Sequence, residues 1–127
     1  MSGTVVTTEQ VLYGMKKVKF EWTSSTGGDA TKTTKVSYDG LVYRVIIAPG
    51  SSGATPSANY AVAINDDDGY DIINGLGADC STGSTDHYGI STGGDARSPL
   101  SAVSSKLNLA VSGAGSANTG EVIVYIR

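Results

Sequence analysis

Val18-Lys19-Phe20-Glu21-Trp22 alternates apolar and charged residues without a break, so Val18, Phe20 and Trp22 fall on one side of an extended chain. Successive side chains of a strand point to opposite faces, and this period of two marks a strand with one face on a core. The same parity puts Lys17 and Lys19 on the outer face and Lys16 on the other. The pattern recurs further along. Tyr60, Val62 and Ile64 align within residues 59–65, and Leu107, Leu109 and Val111 within 106–111. Glu121-Val122-Ile123-Val124-Tyr125-Ile126-Arg127 then closes the sequence as another strand. Residues 106–111 and 121–127, joined by a small-residue turn over 112–120, read as a hairpin whose last strand is tied into the sheet.

Turn chemistry divides the remainder. Thr33-Thr34-Lys35-Val36-Ser37-Tyr38 reads as a strand, Asp39-Gly40 as a hairpin turn, and Leu41-Val42-Tyr43-Arg44-Val45-Ile46-Ile47-Ala48 as the return strand, central and covered on both faces. Residues 49–56, with two prolines and two glycines, predict an exposed loop. Asp66-Asp67-Asp68-Gly69 is a further turn, and Tyr70-Asp71-Ile72-Ile73 starts another short strand. Periodicity disappears over residues 75–100. Loops of this length are functional or disordered, so the stretch is expected to face a partner, with a short strand near His87 to Ile90. No helical period occurs anywhere. The expected fold is all-β, a compact antiparallel β-sandwich or barrel with one long irregular loop. Residues 1–15 are expected to form an N-terminal arm, flexible until bound, and residues 16–127 a single β domain.

The 127 residues suit one domain, which buries roughly two-thirds of its surface without a metal or disulfide staple. With 39% hydrophobic and 17% charged residues, the chain is too apolar for a disordered one. Its net charge of -3 disfavours nucleic-acid binding, which needs a basic stripe, and Lys16, Lys17 and Lys19 are the one basic cluster. The N-terminus shows no signal-peptide pattern, and the apolar runs are far below a membrane span. A single cysteine excludes an intrachain disulfide and suits a reducing cytoplasm.

Candidate chemistry is sparse. Asp66, Asp68 and Asp71 around Gly69 have the oxygen-rich character of a calcium loop, without its terminal Glu; a polar hairpin turn explains the same residues. Cys80 and His87 are the one possible nucleophile–base pair, but both lie in a Gly/Ser loop without a supporting motif. Gly75-Leu76-Gly77 and Gly93-Gly94-Asp95 lack phosphate-loop spacing and precede no helix. Tyr13, Tyr38, Tyr70 and Tyr88, taken as exposed, suit sugar stacking or a protein interface equally, and Trp22 is assigned to the core. No catalytic residue, no cofactor site and no enzyme activity is implied. The expected partner interface comprises Val5, Val6, Val11, Leu12, Tyr13, His87, Tyr88 and Ile90.

The order of segments carries a resemblance. A Lys-Lys-Val-Lys-Phe-Glu-Trp-Thr strand (Lys16 to Thr23) opens onto a Gly-Asp-Ala loop. Tyr38-Asp39-Gly40-Leu41-Val42-Tyr43-Arg44-Val45 leads to Ala48-Pro49-Gly50, and the run from Tyr60 to Asp71 passes into Asn74-Gly75-Leu76-Gly77-Ala78. Ser105 to Val111 and Gly120 to Arg127 close the chain. From about Lys16 onward this order resembles small virion structural proteins of tailed bacteriophages, found among head and tail components. Size and β-only character within that group imply a head decoration (cement) protein that caps and stabilises the capsid. The resemblance implies the major capsid protein or other virion proteins as partners, a homo-oligomer (trimer favoured, dimer possible), no nucleic acid and no membrane. It implies location on the virion, on the head surface, after assembly in the host cytoplasm. Its motifs are strand and turn patterns, so it transfers no site. Two other functions fit the same residues: a tail or head–tail connector subunit, and a carbohydrate-binding adhesin module.

Overall fold

The structure, a computed structural model, describes residues 3–12, 14–50, 56, 60–73, 77, 80, 86–89 and 102–127. The described residues contain no helix. They form nine strands: β1 (Thr4–Leu12), β2 (Met15–Thr23), β3 (Ala30–Thr33), β4 (Tyr38–Pro49), β5 (Ala61–Asn65), β6 (Asp86–Gly89), β7 (Ala102–Ser105), β8 (Asn108–Ser112) and β9 (Thr119–Ile126). Every pairing is antiparallel. A curled, half-barrel sheet runs β1-β2-β9-β4-β6, with β7 added beside the start of β4, and a second sheet runs β3-β8-β5.

The core lies where the inner faces of the two sheets meet. Val18, Phe20 and Trp22 from β2 and Val122, Val124 and Ile126 from β9 are buried, as the alternation requires. Val62 and Ile64 from β5, with Leu107, Leu109 and Val111 in and beside β8, are buried on the opposite side. The Trp22 and Tyr60 rings, one from each side, meet with centroids 5.7 Å apart and tilted by 50°. Each such side chain contributes about 1.5–3 kcal/mol by leaving water, so the paired inner faces dominate the stability of the fold.

Several sequence expectations are corrected. Asp39-Gly40 does not turn the chain. Both residues lie inside β4, opposite Ser104 and Val103 of β7, and β4 bulges between Val42 and Arg44 instead. Gly40 has φ 135°, and a Cβ there would collide with the carbonyl oxygen of Arg127. It serves close backbone approach within a strand, a role glycine plays because it has no side chain. Strand β4 is central, but its two faces differ: Val45 and Ile47 are buried while Arg44 is exposed. The strand expected at 33–38 is β3, earlier and shorter. Residues 70–73 form no strand; Asp71 makes one isolated bridge to Asn65, and Ile72 and Ile73 turn into the core.

The two last runs are not a hairpin. Strand β8 pairs with β3 and β5, whereas β9 lies between β2 and β4. The connection 113–118 therefore crosses between sheets, and Ser24 anchors it. The Ser24 hydroxyl donates to the Gly115 carbonyl (2.6 Å) and accepts from Asn118 N (2.9 Å), while Ser24 N donates to the Asn118 carbonyl (2.8 Å). The N-terminal residues expected as an arm are also corrected: Thr4–Leu12 pairs with β2 along its whole length as an edge strand. Leu12 pairs with Met15, so the pairing is local in sequence and therefore easy to form. Of the expected loop over 49–56, Pro49 ends β4 and Pro56 is buried, while 51–55 lie outside the described residues. Within 75–100 the described part is Gly77, Cys80 and strand β6, which covers the expected short strand near His87.

Candidate functional site

Residues 66–71 fold as a turn held by its own carboxylates. Asp66 Oδ1 accepts from Asp68 N and Tyr70 N, both at 3.0 Å, and Gly69 N donates to the Asp66 carbonyl at 3.0 Å. Gly69 sits at φ 87°, where it carries no side-chain penalty. Asp71 Oδ1 accepts from Ile64 N (3.1 Å) and Ile73 N (3.2 Å), so this carboxylate caps the end of β5. The Asp66 and Asp71 carboxylates are thus engaged separately with main chain, and the described residues contain no group of three acidic, His or Cys side chains placed to hold a metal ion.

Cys80 is 2% exposed, bridges Tyr60 in the sheet direction, and its thiol donates to the Gly77 carbonyl at 3.3 Å. A buried thiol of this kind is shielded from reagents in solution. His87 stands opposite Ile46 in the β4–β6 ladder, a different ladder from that of Cys80. The glycine runs place only Gly77 among the described residues, and its carbonyl accepts from Val62 N at 2.7 Å. Of the tyrosine set, the two described members differ. Tyr38 is 5% exposed and Tyr70 72% exposed, while Tyr13 and the Tyr88 side chain lie outside the described residues. Burial pushes the Tyr38 phenol above its ordinary value, and the nearby Glu9 carboxylate pushes it the same way. The Tyr38 hydroxyl feels the Glu9 charge but makes no hydrogen bond of ordinary geometry.

The expected interface residues divide between core and surface. Val5 is core, at 8% exposure, which corrects its assignment to the surface. Val6 and Val11 are largely exposed on β1. Leu12 lies in β1, and His87 and Tyr88 in β6, but the side chains of all three lie outside the described residues, as do Tyr13 and Ile90.

Sequence reasoning missed another surface: the outer face of the large sheet. Gln10, Lys17, Tyr125 and Arg44 follow one another across four strands, and Thr8, Lys19, Ile123 and Ile46 form the next row. Lys17 Nζ and the Arg44 guanidinium both stand over the Tyr125 ring, 5.8 and 5.4 Å from its centroid. Such cation–π pairs hold a ring and two charges in fixed positions. A third row, Val6, Glu21, Glu121 and Ala48, sets two carboxylates directly opposite each other. Lys19 Nζ offsets their repulsion, 3.9 Å from Glu21 and 3.4 Å from Glu121. A shallow groove of about 530 Å³ opens beside this row, between Thr4, Val6, Glu21 and Thr119. None of the twelve residues in these three rows is buried. Part of this face's signal was present in the sequence: residues flanking inward Val124 must point outward, while the meeting of Tyr125 with Lys17 follows from the β2–β9 register.

Comparison with protein-family models, curated proteins and solved structures finds no match.

Proposed function

We propose that this chain is a non-enzymatic structural protein of a tailed-phage virion, a decoration protein that binds and stabilises the head shell. The observation that carries the reading is the outer face of the large sheet, where none of the twelve residues in the three rows is buried. Tyr125 between Lys17 and Arg44, flanked by Ile123, Ile46 and Val6, combines aromatic, apolar and charged groups on a rigid support. Protein interfaces are enriched in Tyr and Arg, and a sheet holds such side chains without a folding cost on binding. The segment order that resembles small virion proteins supplies the setting, and repetition over a symmetric shell would convert modest contacts into avidity. The major capsid protein is the proposed partner, with the chain itself as a homo-oligomer. The test adds purified protein to expanded capsids lacking it. Binding with a raised capsid melting temperature is expected; absence of binding overturns the reading.

A tail or head–tail connector subunit is a second reading, favoured by the free edge strand β1, through which copies could join side by side. It predicts rings or tubes in electron micrographs of the purified protein and no binding to the capsid surface.

A further inference from the structure

Strand β1 ends the large sheet and β3 ends the small one, and the two edges meet at Gly3, whose amide donates to the Asp29 carbonyl at 3.1 Å. That bond fixes the parity of the edge. Main-chain groups alternate in direction along an antiparallel strand, so the amides and carbonyls of Val5, Thr7, Glu9 and Val11 point the same way as Gly3, away from β2. Beyond Gly3 no main-chain hydrogen bond joins β1 to β3 among the described residues. A cleft of about 340 Å³ separates them, lined by Val5, Val6, Thr7 and Glu9 on one wall and Lys32 and Lys35 on the other.

Three features of this cleft are unsatisfied. Thr7 Oγ1 is buried without a hydrogen-bond partner. Lys32 and Lys35 have no acidic partner among the described residues, where the ion pairs involve Lys16 and Lys19. The β1 edge has nine residues in unbroken register, with neither lysine nor proline nor bulge. Glu9 is the one charged side chain of this edge, and natural edge strands of that length ordinarily add lysines, prolines or bulges, because an open edge templates another strand.

We propose that the cleft between β1 and β3 takes an extended, acidic peptide strand of a protein partner, which pairs with the β1 edge and lays its carboxylates against Lys32 and Lys35. Main-chain bonds to Val5, Thr7, Glu9 and Val11 give the addition its register, and every second side chain of the added strand faces the lysine wall. A second copy's β1 is a poorer occupant, since it carries one carboxylate, Glu9, against two lysines. The inference rests on the reading of the chain as a docking protein and names the chemistry of one docking partner.

The test is an amide NMR titration of the full chain with a blocked octapeptide, Thr-Glu-Val-Glu-Val-Glu-Val-Thr, and with its counterpart bearing Lys for Glu. The acidic peptide is expected to shift the amides of Val5, Thr7, Glu9 and Val11 saturably, and the basic one to leave them in place. A folded Lys32→Glu/Lys35→Glu variant is expected to bind the acidic peptide about tenfold more weakly, more so at low salt. Equal binding of both peptides, no shift with the acidic one, or shifts centred on Tyr125 would overturn the proposal. So would concentration-dependent shifts of the β1 amides without peptide, which would make a second copy the occupant. Capsid binding that survives the double charge reversal would remove the cleft as a virion contact while leaving the proposed virion role standing.

Discussion

Gly120 lies directly opposite Trp22 in the β2–β9 ladder, and a Cβ on Gly120 would collide with the indole ring. The largest buried side chain therefore occupies space that its cross-strand neighbour leaves by having no side chain. Gly120→Ala is expected to lose about 1–3 kcal/mol, the usual cost of overpacking. Urea unfolding followed by far-ultraviolet circular dichroism measures it. Pairing the change with Trp22→Phe should recover part of the loss, because the two residues share one contact.

Gly40 carries the correction of a hairpin into a continuous strand. Its φ of 135° and its contact with the Arg127 carbonyl both exclude a side chain. Leu41 and Arg127 exchange two main-chain hydrogen bonds of 2.9 Å beside it. Gly40→Ala is expected to cost more than Gly120→Ala, since backbone strain of about 1–3 kcal/mol adds to the clash. Hydrogen exchange should show the Leu41 and Arg127 amides losing protection first. A thermally neutral Gly40→Ala would contradict the assignment.

Ser24 ties the crossing between the sheets. Ser24→Ala removes the donor to the Gly115 carbonyl and the acceptor for Asn118 N, leaving partly buried main-chain groups unpaired. A loss of about 1–3 kcal/mol is expected in denaturant unfolding. Ser24→Thr, which keeps the hydroxyl, should lose less.

How far the fold was legible follows from which forces are local. Inward Val18, Phe20 and Trp22, or Val122, Val124 and Ile126, are visible because period two is written in adjacent residues. Strand partnership is not local. Nothing in 106–127 says that β8 and β9 join different sheets, nor that Ser24, distant in sequence, holds the crossing at 113–118. Asp39-Gly40 carries a true turn signal, overridden by pairing with β7 and by the approach of Arg127. Strand β1 was hidden because Thr7-Thr8-Glu9-Gln10 lacks alternation, as an edge strand with little core contact can. The outer-face cluster needed register as well as parity: Lys17 and Arg44 are far apart in sequence and meet only because Tyr125 is paired with both.

Tyr38 gives the fold an alkaline signature. Burial, reinforced by Glu9, raises its phenol, so the folded chain holds that proton more tightly than the unfolded chain does. The associated stability is fully present below the unfolded phenol value of about 10 and is lost as pH rises above it. Tyr38→Phe has no proton to release, and the native hydroxyl makes no hydrogen bond of ordinary geometry. The variant should therefore match the native chain near neutral pH and overtake it in thermal unfolding at the alkaline end. Parallel curves through that range would contradict the burial of this group.

The proposed role as a shell-binding protein is tested most directly by cryo-electron microscopy of tailed-phage virions purified from cells that express the chain. The account predicts repeated density for two facing β-sheets on the outer head surface, with the Tyr125 face or the β1 edge against the major capsid protein. Heads without this density, or virions that lack the chain altogether, would contradict it.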